Sequence, residues 1–434
     1  MSLALSCSLL LGAGLLGLAL RTEERRRAPV LPSPLLPSPG TTVLLPVRDE
    51  RLNVEDCVAA LLGQTTSPQV RVIDDGSTDG TAEIVARLAA GEPRLTLLAA
   101  GPLPPGWPGK VHALSVGAEG AETPWLLSTD ADTRHAPDLL ARAHAAAAGR
   151  GLDALSLAGF QEVEGLGENL LVPPVFALLD AVLGDWETVA DGAGPAVANG
   201  QFILLRREAW EACGGFESVR AAPIDDVAVA AGLRARGFRT AFLRAEGLRV
   251  RMYRGLGEAA RGWRRNLGAL FSHIPGTAAA ILAVLLLPAL ALAGFALTGR
   301  WVEALFLWTA GAAASMLLRS GSGHAPAWGL LYPLDSVVLA GVLLLGVLDR
   351  RRGKRISWKG RTLTPGPSPD PSPLPHRERG DKKQAEATME SRPLESKIPL
   401  SQGPPLLPVR EGREGSGEEG RGDEGRGCRE ISTA

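Results

Sequence analysis

Hydrophobic and polar positions divide this chain into distinct zones. An uncharged apolar run comes first, and after a short gap, apolar runs of strand length alternate with stretches of helical spacing. Longer apolar stretches follow, and the last part of the chain has few large apolar residues. The predicted zones are a membrane anchor (1–20), a linker (21–40), a folded α/β domain (41–271), membrane segments (277–350), a basic segment (351–362) and a disordered tail (363–434).

Positive charge after the first apolar run indicates an anchor that is kept. The run from Leu3 to Leu20 is followed by "RTEERRR". A secretory signal peptide carries its positive charges before the apolar core and a small-residue cleavage site after it, and a cleaved signal is the alternative here. With the charges behind the run, we expect an uncleaved anchor whose following side faces the cytoplasm. The next stretch, "APVLPSPLLPSPG", predicts a stiff, extended linker.

The segment 41–271 alternates predicted strands with predicted helices. The strands are "TTVLLPV", "QVRVIDDGS", "RLTLLAA" and "PWLLSTDAD". Between them, "NVEDCVAALLGQ", "DGTAEIVARLAA" and "KVHALSVGAEGA" have helical spacing. Alternation at this short spacing favours a mostly parallel sheet covered by helices.

Three apolar stretches follow the α/β domain, at 277–297, 301–318 and 328–348. The first and last are long enough to span a bilayer, whereas the middle stretch is shorter and carries Glu303, which favours an interfacial or re-entrant segment. "RGWRRN" before them and "DRRRGKR" after them should both be cytoplasmic. An even number of crossings is then required, so we expect one stretch not to cross, and the sequence leaves open which of the three it is.

The tail at 363–434 has a composition that does not support a core. It is rich in Pro, Gly, Glu, Arg and Ser, and "SPLPHRERG" and "PLLPVREG" resemble decayed copies of one unit. Such a segment buries too little apolar surface to fold. We expect disorder, with an interaction tail as the alternative.

Composition and charge narrow the function. The chain has 434 residues, 45% of them hydrophobic, which is enough for a sizeable core. The net charge of -1 gives no overall basic field, so a nucleic-acid partner is not expected. Four cysteines stand far apart without metal or redox spacing, which fits a reducing compartment.

Acidic residues follow three of the predicted strands. One acidic strand end is typical of an ordinary polar loop, but three suggest a site for a cation, a sugar or a base. Two carboxylates in a D-x-D turn suit Mg²⁺ or Mn²⁺, and such an ion is commonly shared with substrate phosphates. The D-x-D signal alone is weak. The acids are Asp49 and Glu50, Asp74 and Asp75, and Asp130 and Asp132.

The run of motifs resembles the family 2 glycosyltransferases. "LLPVRDE", "VIDDGSTDGT", "LPPGWPGK", "STDAD", "NGQF", "RREAW…GGF" and "IDDVAVA" occur in the family's order between Thr42 and Phe271. The resemblance implies an α/β, GT-A (Rossmann-like, mostly parallel sheet) catalytic domain. "LPPGWPGK" is similar to the membrane-anchored branch that includes hopanoid-associated and carotenoid (diaponeurosporenoate-type) glycosyltransferases. "SWKGR" resembles the natural end of such proteins.

The resemblance also implies roles for individual residues. The nucleotide-sugar would contact Pro46, Arg48, Glu50, Asp74, Asp75, Lys110 and Asp130. A divalent metal would be held by Asp130 and Asp132, with Asp132 as the more direct ligand, and Asn199 and Gln201 would be acceptor-pocket or structural amides. Asp226 is the expected general base beside Asp225, where the family usually has Glu, so which of the two reaches the acceptor stays open.

The predicted function is an inverting transfer of one sugar from a nucleotide-diphosphate sugar to a hydroxyl or carboxyl of a membrane lipid, such as a carotenoid, a hopanoid or a glycerolipid. We expect a multi-pass protein of the cell (inner) membrane with its catalytic domain in the cytoplasm. "EAARGWRRNLGALF" lacks the Q-x-x-R-W element of processive synthases. A polysaccharide synthase, a non-catalytic membrane scaffold and a Mg²⁺-dependent nucleotidyltransferase are the alternatives. Arg261, Arg264 and Arg265 would lie along the anionic inner leaflet or act as topology determinants.

Overall fold

The structure is a computed structural model. It describes residues 3–25, 31–34, 37–183, 196–222, 224–272, 274–353, 356–358 and 361–363. The tail after residue 363, for which the sequence predicts disorder, lies outside the described residues, as do parts of the predicted linker and basic segment.

A mixed sheet of eight strands forms the centre of the α/β half. Its strands are β1 (Thr41–Val47), β2 (Gln69–Asp74), β3 (Leu95–Ala99), β4 (Trp125–Ser128), β5 (Thr133–His135), β6 (Ala154–Gln161), β7 (Ile203–Arg206) and β8 (Thr240–Val250). A separate antiparallel pair consists of β9 (Ile356–Trp358) and β10 (Arg361–Leu363).

The described helices cover this sheet and extend beyond it. They are α1 (Leu3–Arg25), α2 (Val54–Leu62), α3 (Thr81–Ala89), α4 (Gly109–Ala118), α5 (Leu139–Arg150), α6 (Gly165–Leu183), α7 (Arg207–Ala212), α8 (Asp225–Ala235), α9 (Leu256–Phe271), α10 (Pro275–Leu297), α11 (Trp301–Gly321) and α12 (Leu334–Arg351).

The strand order β3-β2-β1-β4-β7-β6-β8-β5 explains where the motif-bearing loops meet. The first four strands in this order pair in parallel, so their carboxyl ends lie at one edge. β7 is antiparallel to both β4 and β6, and β5 is antiparallel to β8. The predicted mostly parallel α/β sheet is therefore present, with antiparallel strands that the sequence pattern did not reveal.

Alternating side chains of the parallel strands enter two different cores. On β1, Val43, Leu45 and Val47 pack with α2, α3 and α5 on one face, whereas Leu44 packs with α4 and Ile73 on the other. A strand buried on both faces reads as a continuous apolar run, because no position is solvated. This explains why "TTVLLPV" shows no alternation of apolar and polar residues.

A third core connects the α/β half with the apolar helices. It gathers side chains of α6, α9, α10 and α12, including Val175, Trp263, Ile281 and Leu343. The aromatic rings of Phe176 and Trp263 meet edge to face, with centroids 5.4 Å apart. Helix α6 leaves the sheet after β6, so the chain enters the apolar helices in the middle of the segment 41–271.

Three described helices are long and apolar enough to cross a membrane, by length and composition. They are Gly165–Val182 within α6, Pro275–Leu297 and Trp301–Gly321. Within α1 (Leu3–Arg25), the described side chains form the shorter apolar stretch Leu9–Thr22.

The helices of the C-terminal stretches begin and end at other residues than the apolar stretches in the sequence. The middle stretch forms the 21-residue helix α11. Glu303 does not interrupt it, because this acid lies in the first turn, where its Oε1 is 3.3 Å from Arg300 Nη2. The last stretch begins with a 3-10 helix, Pro326–Leu331, so its α-helix starts only at Leu334. α12 also carries charges at both ends and is not among the spans that qualify in the described residues.

Candidate active site

The loops after β1 and β2 are joined by Arg48 and Asp75. The Arg48 guanidinium donates to the carbonyl of Asp75 and lies 3.7 Å from its carboxylate. Asp75 is buried, and its N–H donates to the carbonyl of Val47 at 2.9 Å. Pro46 is half-buried on β1, opposite Ile73. These predicted nucleotide contacts therefore lie together at the carboxyl edge of the sheet.

The other acids of this edge shape the loops. Asp74 accepts the N–H of Ser77 on both carboxylate oxygens, at 3.2 Å each. Asp49 accepts the N–H of Thr78 at 2.8 Å. The N–H of Glu50 donates to the Thr81 hydroxyl at 2.9 Å, and the Glu50 carboxylate accepts from the Asn53 amide. Carboxylates that bind loop N–H groups in this way preform the β1 and β2 loops.

Lys110 lies among the acids of two distant motifs. It is at the start of α4, directly after the "LPPGWPG" turn. Its ammonium is 2.7 Å from Asp130 Oδ1 and 3.9 Å from Asp225 Oδ2. The structure thus brings the D-x-D turn and the "IDD" motif to one cation, although they are far apart in sequence.

Asp226 faces the same point from the start of α8. Its Oδ2 accepts the N–H of Gly200 at 2.7 Å, and its Oδ1 accepts the N–H of Val227 at 2.8 Å. A side chain at position 200 would place its Cβ 2.6 Å from Lys110 Nζ and 3.2 Å from Asp130 Oδ2. Glycine at this position therefore lets the "NGQF" backbone come between the two acids.

Burial and charge set the protonation of this cluster. Burial, together with the negative charge of Asp225, raises the pKa of Asp226 to about 7, against the opposing attraction of Lys110. Burial alone would lower the pKa of Lys110, but Asp130, Asp225 and Asp226 outweigh it and hold that pKa above its usual value. The lysine is therefore charged, and Asp226 titrates near neutrality.

The D-x-D turn itself is anchored on both sides. The Thr133 hydroxyl donates to the carbonyl of Asp130 at 2.7 Å, and the N–H of Arg251 donates to the carbonyl of Asp132 at 2.8 Å. Ala131 between the two acids is buried. The turn therefore presents its two carboxylates from a fixed backbone, with both acids only half-buried.

His135 behind the turn is not a candidate base. It is buried within hydrogen-bonding distance of the Thr129 and Thr133 hydroxyls, at 3.1 and 3.0 Å. Burial, with the positive charge of Arg134, lowers its pKa to about 3, so the ring is neutral and structural.

Asn199 and Gln201 flank Gly200 in different ways. Gln201 is buried and its side-chain oxygen accepts from Gly159 N–H at 3.3 Å and from the Gln161 amide at 3.2 Å. The Asn199 side-chain oxygen accepts the N–H of Gln201 at 3.1 Å. Of the two roles that the sequence left open for these amides, their observed contacts correspond to the structural one.

Two residues near the cluster were not predicted as site residues. Tyr253 is close enough to Asp132 and Arg265 for their charges to act on it, and burial raises its pKa to about 12. Arg265 is half-buried, and burial lowers its pKa while Tyr253 and Asp225 attract it. Arg264 instead pairs with Asp349 at 2.5 Å. Arg264 and Arg265 of "RGWRRN" thus differ in environment, which their common charge could not reveal.

The donor chemistry at the D-x-D turn fits a divalent cation. Within the described ranges, no three His, Cys, Asp or Glu side chains form a ready metal-binding group. The carboxylates of Asp130 and Asp132 nevertheless offer hard oxygen ligands, and the Lys110 ammonium 2.7 Å from Asp130 marks a place that receives positive charge. Mg²⁺ and Mn²⁺ commonly take one or two carboxylates and complete their shell with phosphate and water.

Comparisons with known proteins agree with the motifs. Residues 42–168 match the family described as Glycosyl transferase family 2. The chain is 27% identical over 190 residues to the succinoglycan biosynthesis protein ExoA of Rhizobium meliloti (strain 1021), covering 42% of this chain and 54% of that protein. The chain therefore spans about half the length of this curated relative. The resemblance predicted from the motifs agrees with this match over residues 42–168.

Solved structures of glycosyltransferases are similar to this chain with TM-scores below 0.5. The mannosyltransferase PcManGT from Pyrobaculum calidifontis, in complex with GDP-Man and Mn²⁺, has a TM-score of 0.49 at 22% identity, over 81% of this chain and 100% of that chain. Glucosyl-3-phosphoglycerate synthase from Mycobacterium tuberculosis, with Mn²⁺ and UDP, has 0.34 at 20%, over 54% and 79%. S. aureus TarS 1–349 with UDP-GlcNAc has 0.38 at 13%, over 76% and 98%. The comparison that supports the glycosyltransferase prediction is therefore the family match over residues 42–168.

Proposed function

We propose that this chain is a membrane-bound, metal-dependent glycosyltransferase that moves one sugar from a nucleotide-diphosphate donor to a hydroxyl or carboxyl of a membrane lipid. One observation carries the proposal: Asp130, Lys110, Asp225 and Asp226 meet at one point beside the Gly200 backbone. A cation-binding turn and a carboxylate that titrates near neutrality are the two groups that direct sugar transfer needs.

The donor lies along the carboxyl edge of the sheet in this proposal. Arg48 and the buried Asp75 contact the base and ribose, with Pro46, Glu50 and Asp74 shaping that pocket. Asp130 and Asp132 hold the divalent cation, which when bound neutralises the charge of the diphosphate. Lys110 reaches the diphosphate from the start of α4, where its charge is already directed at the same point.

Asp226 acts as the base in the transfer step. The acceptor oxygen attacks the anomeric carbon as the bond from that carbon to the diphosphate oxygen breaks, and the electron pair leaves with the nucleotide diphosphate. Asp226 takes the acceptor proton, since both of its oxygens keep a lone pair beyond the bonds from Gly200 and Val227. One direct displacement inverts the anomeric carbon. Asn199 and Gln201 support the loop that holds Asp226 in place.

The third core supports a lipid acceptor. It runs from Ile281 on α10, through Trp263, to partly buried residues at the site, Val197 and Tyr253. Val197 is two residues before Asn199, and Tyr253 lies close enough to Asp132 to be affected by its charge. Packed apolar side chains therefore connect the apolar helices with the reacting groups, which supports an acceptor drawn from the membrane. The resemblance of "LPPGWPGK" suggests hopanoid or carotenoid acceptors among such lipids.

We further propose that α10 and α11 cross the inner membrane as a hairpin and that α12 does not cross. The pair Arg264–Asp349 joins "RGWRRN" to "DRRRGKR", which supports placing both basic segments on one side. His324, just after α11, lies 2.8 Å from the carbonyl of Gln161, so α11 returns to the catalytic half. By the positive-inside rule that side is the cytoplasm.

A step in building a larger glycan is the second candidate. It is favoured by the similarity to ExoA, whose name places it in succinoglycan biosynthesis. The chain lacks Q-x-x-R-W before α10, which still favours a single transfer. Product length separates the two candidates.

A donor screen on membranes containing the full chain tests the proposal. UDP and GDP sugars are supplied with Mn²⁺ or Mg²⁺, and lipid extracts are analysed by mass spectrometry beside an Asp226→Asn control. We expect a single sugar added to one lipid class, absent in the control. A ladder of repeating sugar masses would establish the synthase instead. Folded protein that binds donor yet transfers nothing would overturn the proposed activity in favour of a scaffold.

A further inference from the structure

A buried ion pair joins the D-x-D turn to helix α6. Arg251 directly follows β8, and its N–H donates to the carbonyl of Asp132 at 2.8 Å. Its guanidinium meets the Glu168 carboxylate with both terminal nitrogens, Nη1 to Oε2 at 2.8 Å and Nη2 to Oε1 at 3.1 Å. The side chains are 9% and 6% exposed. A two-pronged contact of this kind fixes orientation as well as distance.

Arg251 also contacts the segment between β6 and α6. Nη2 also lies 3.1 Å from Glu164 Oε2, and Nη1 donates to the carbonyl of Glu162 at 3.4 Å. Glu168 in turn accepts the N–H of Glu164 at 2.6 Å. The chain between β6 and α6 is therefore tied to one guanidinium, whose own backbone is bound to the turn.

Helix α6 is itself fixed among the apolar helices. Leu171, Val175 and Leu179 pack in the third core with residues of α10 and α12. Near its start, the carbonyl of Asn169 accepts from Arg319 of α11 at 3.0 Å. A shift of α6 relative to the sheet would therefore act on Glu168, then on Arg251, and through its backbone on Asp132.

We infer that Arg251 and Glu168 are positioning residues that hold the D-x-D turn in its cation-binding geometry and make that geometry depend on the seating of α6 in the apolar helices. Neither side chain touches the reacting groups. The inference rests on the proposed function, because it concerns the same metal-binding turn. Arg251 and Glu168 lie outside the motifs, so the motifs alone do not show this link between the apolar helices and the site.

Glu168→Gln and Arg251→Lys test this link with binding of Mn²⁺ as the readout. Purified full-length protein in detergent is titrated with Mn²⁺ in the presence of UDP or GDP, and free Mn²⁺ is followed by electron paramagnetic resonance. We expect binding weaker by roughly tenfold or more, as is usual when groups that orient metal ligands are changed. Nucleotide binding without metal should remain at the wild-type level, because Arg48 and Asp75 are untouched.

Arg249→Gln is the matched control. Arg249 is also on β8 and also pairs with an acid of this segment, Glu162, at 2.6 Å, but its side chain is 62% exposed. We expect its Mn²⁺ binding to equal that of the wild type. Equal weakening in the control would show a general effect of charge and would overturn the inference.

A second variant separates positioning from folding. The pair Arg251→Met with Glu168→Leu replaces the charges by apolar side chains, which often preserves or improves stability. A role in folding alone predicts that this folded pair binds Mn²⁺ as the wild type does, and that result would overturn the inference. Wild-type protein that binds Mn²⁺ but transfers no sugar would refute the proposed activity and leave the inference standing.

Discussion

Asp226 is the residue on which the proposed chemistry depends most directly. We predict that Asp226→Asn lowers the transfer rate by roughly 10²- to 10⁴-fold, because an amide cannot take the acceptor proton. Donor affinity should change little, since the amide oxygen can still accept the N–H of Gly200. Initial rates and equilibrium donor binding measure the two effects. A nearly normal rate in this variant would show that the base is another group, with Asp225 the next to test.

The charges around Asp226 predict how activity depends on pH. Its pKa of about 7 keeps the base protonated in acid, so kcat/KM should rise with pH through about 7. Asp225→Asn removes a repelling negative charge and should move this rise to lower pH. Lys110→Met removes an attracting positive charge and should move it to higher pH. Rate profiles of the three proteins measure the shifts, and a rise that stays in place in both variants would contradict the assignment of the titration to Asp226.

For single residues, the sequence indicated which side chains belong to the motifs but not how buried they are or what they contact. Asp130, Lys110 and Asp226 were identifiable because their motifs are short and local. The burial of Gln201 was not, because its partners Gly159 and Gln161 belong to a strand about 40 residues earlier. The pattern of charges along "RGWRRN" likewise could not show that Arg264 and Arg265 face different surroundings.

At the scale of elements, the predicted strands and helices of the sheet were found where local patterns are strong. β1 to β4, α2 and α3 lie within the predicted stretches, and α4 begins one residue before its own. The apolar stretches at 301–318 and 328–348 did not show where α11 and α12 begin and end, because length and one acid alone carry no information about helix ends. Glu303 is harmless to α11 at its first turn, whereas the Pro-containing segment before Leu334 shortens α12. Helix α6 was missed because its apolar run lies inside the segment 41–271, which the alternation of strands and helices marked as a folded α/β domain.

The close crossing of α9 and α12 leads to a stability prediction. A Cβ at Gly268 would lie 2.5 Å from the carbonyl oxygen of Gly346, and a Cβ at Gly346 would meet the carbonyl oxygen of Arg264. We expect Gly268→Ala to destabilise the protein by about 1–3 kcal/mol, because backbone rather than a flexible side chain must move. Thermal unfolding in detergent measures this loss.

Gly341 supplies the control for that prediction. It is on the same helix α12, and a Cβ there would meet no atom within 4 Å. Gly341→Ala should therefore be neutral or slightly stabilising, since alanine favours helix more than glycine does. Equal destabilisation by both substitutions would show that the crossing is not the cause.

At the scale of the whole molecule, the sequence predicted the order of zones but not how they are joined. Apolar windows separate membrane stretches from a folded half, yet they carry no information about which side chains meet across them. The third core, the Arg264–Asp349 pair and the Arg251–Glu168 pair all join residues distant in sequence. The proposed hairpin of α10 and α11 combines their apolar length with the Arg264–Asp349 and His324–Gln161 contacts.

Cysteine labelling tests this topology. In a chain whose four cysteines are replaced, single cysteines are placed at Gly299, between α10 and α11, and at Gly353, after α12. We expect a membrane-impermeant maleimide to label position 299 in intact cells and position 353 only after permeabilisation. Labelling of both positions from outside would contradict the hairpin, as would protection of both.

The passage of the chain through α6 has a consequence for how this protein can be cut or exchanged. The segment 41–271 looks like an independent unit in sequence, but the apolar faces of α6 and α9 inside it are covered by α10 and α12. A chain truncated after Phe271 would expose Trp263 and its neighbours to water and should aggregate. A fusion of the segment 41–271 to the apolar helices of another protein would need helices whose surface fits the apolar faces of α6 and α9. The smallest part of the chain that can be transferred intact is therefore the sheet with its covering helices together with α10 and α12.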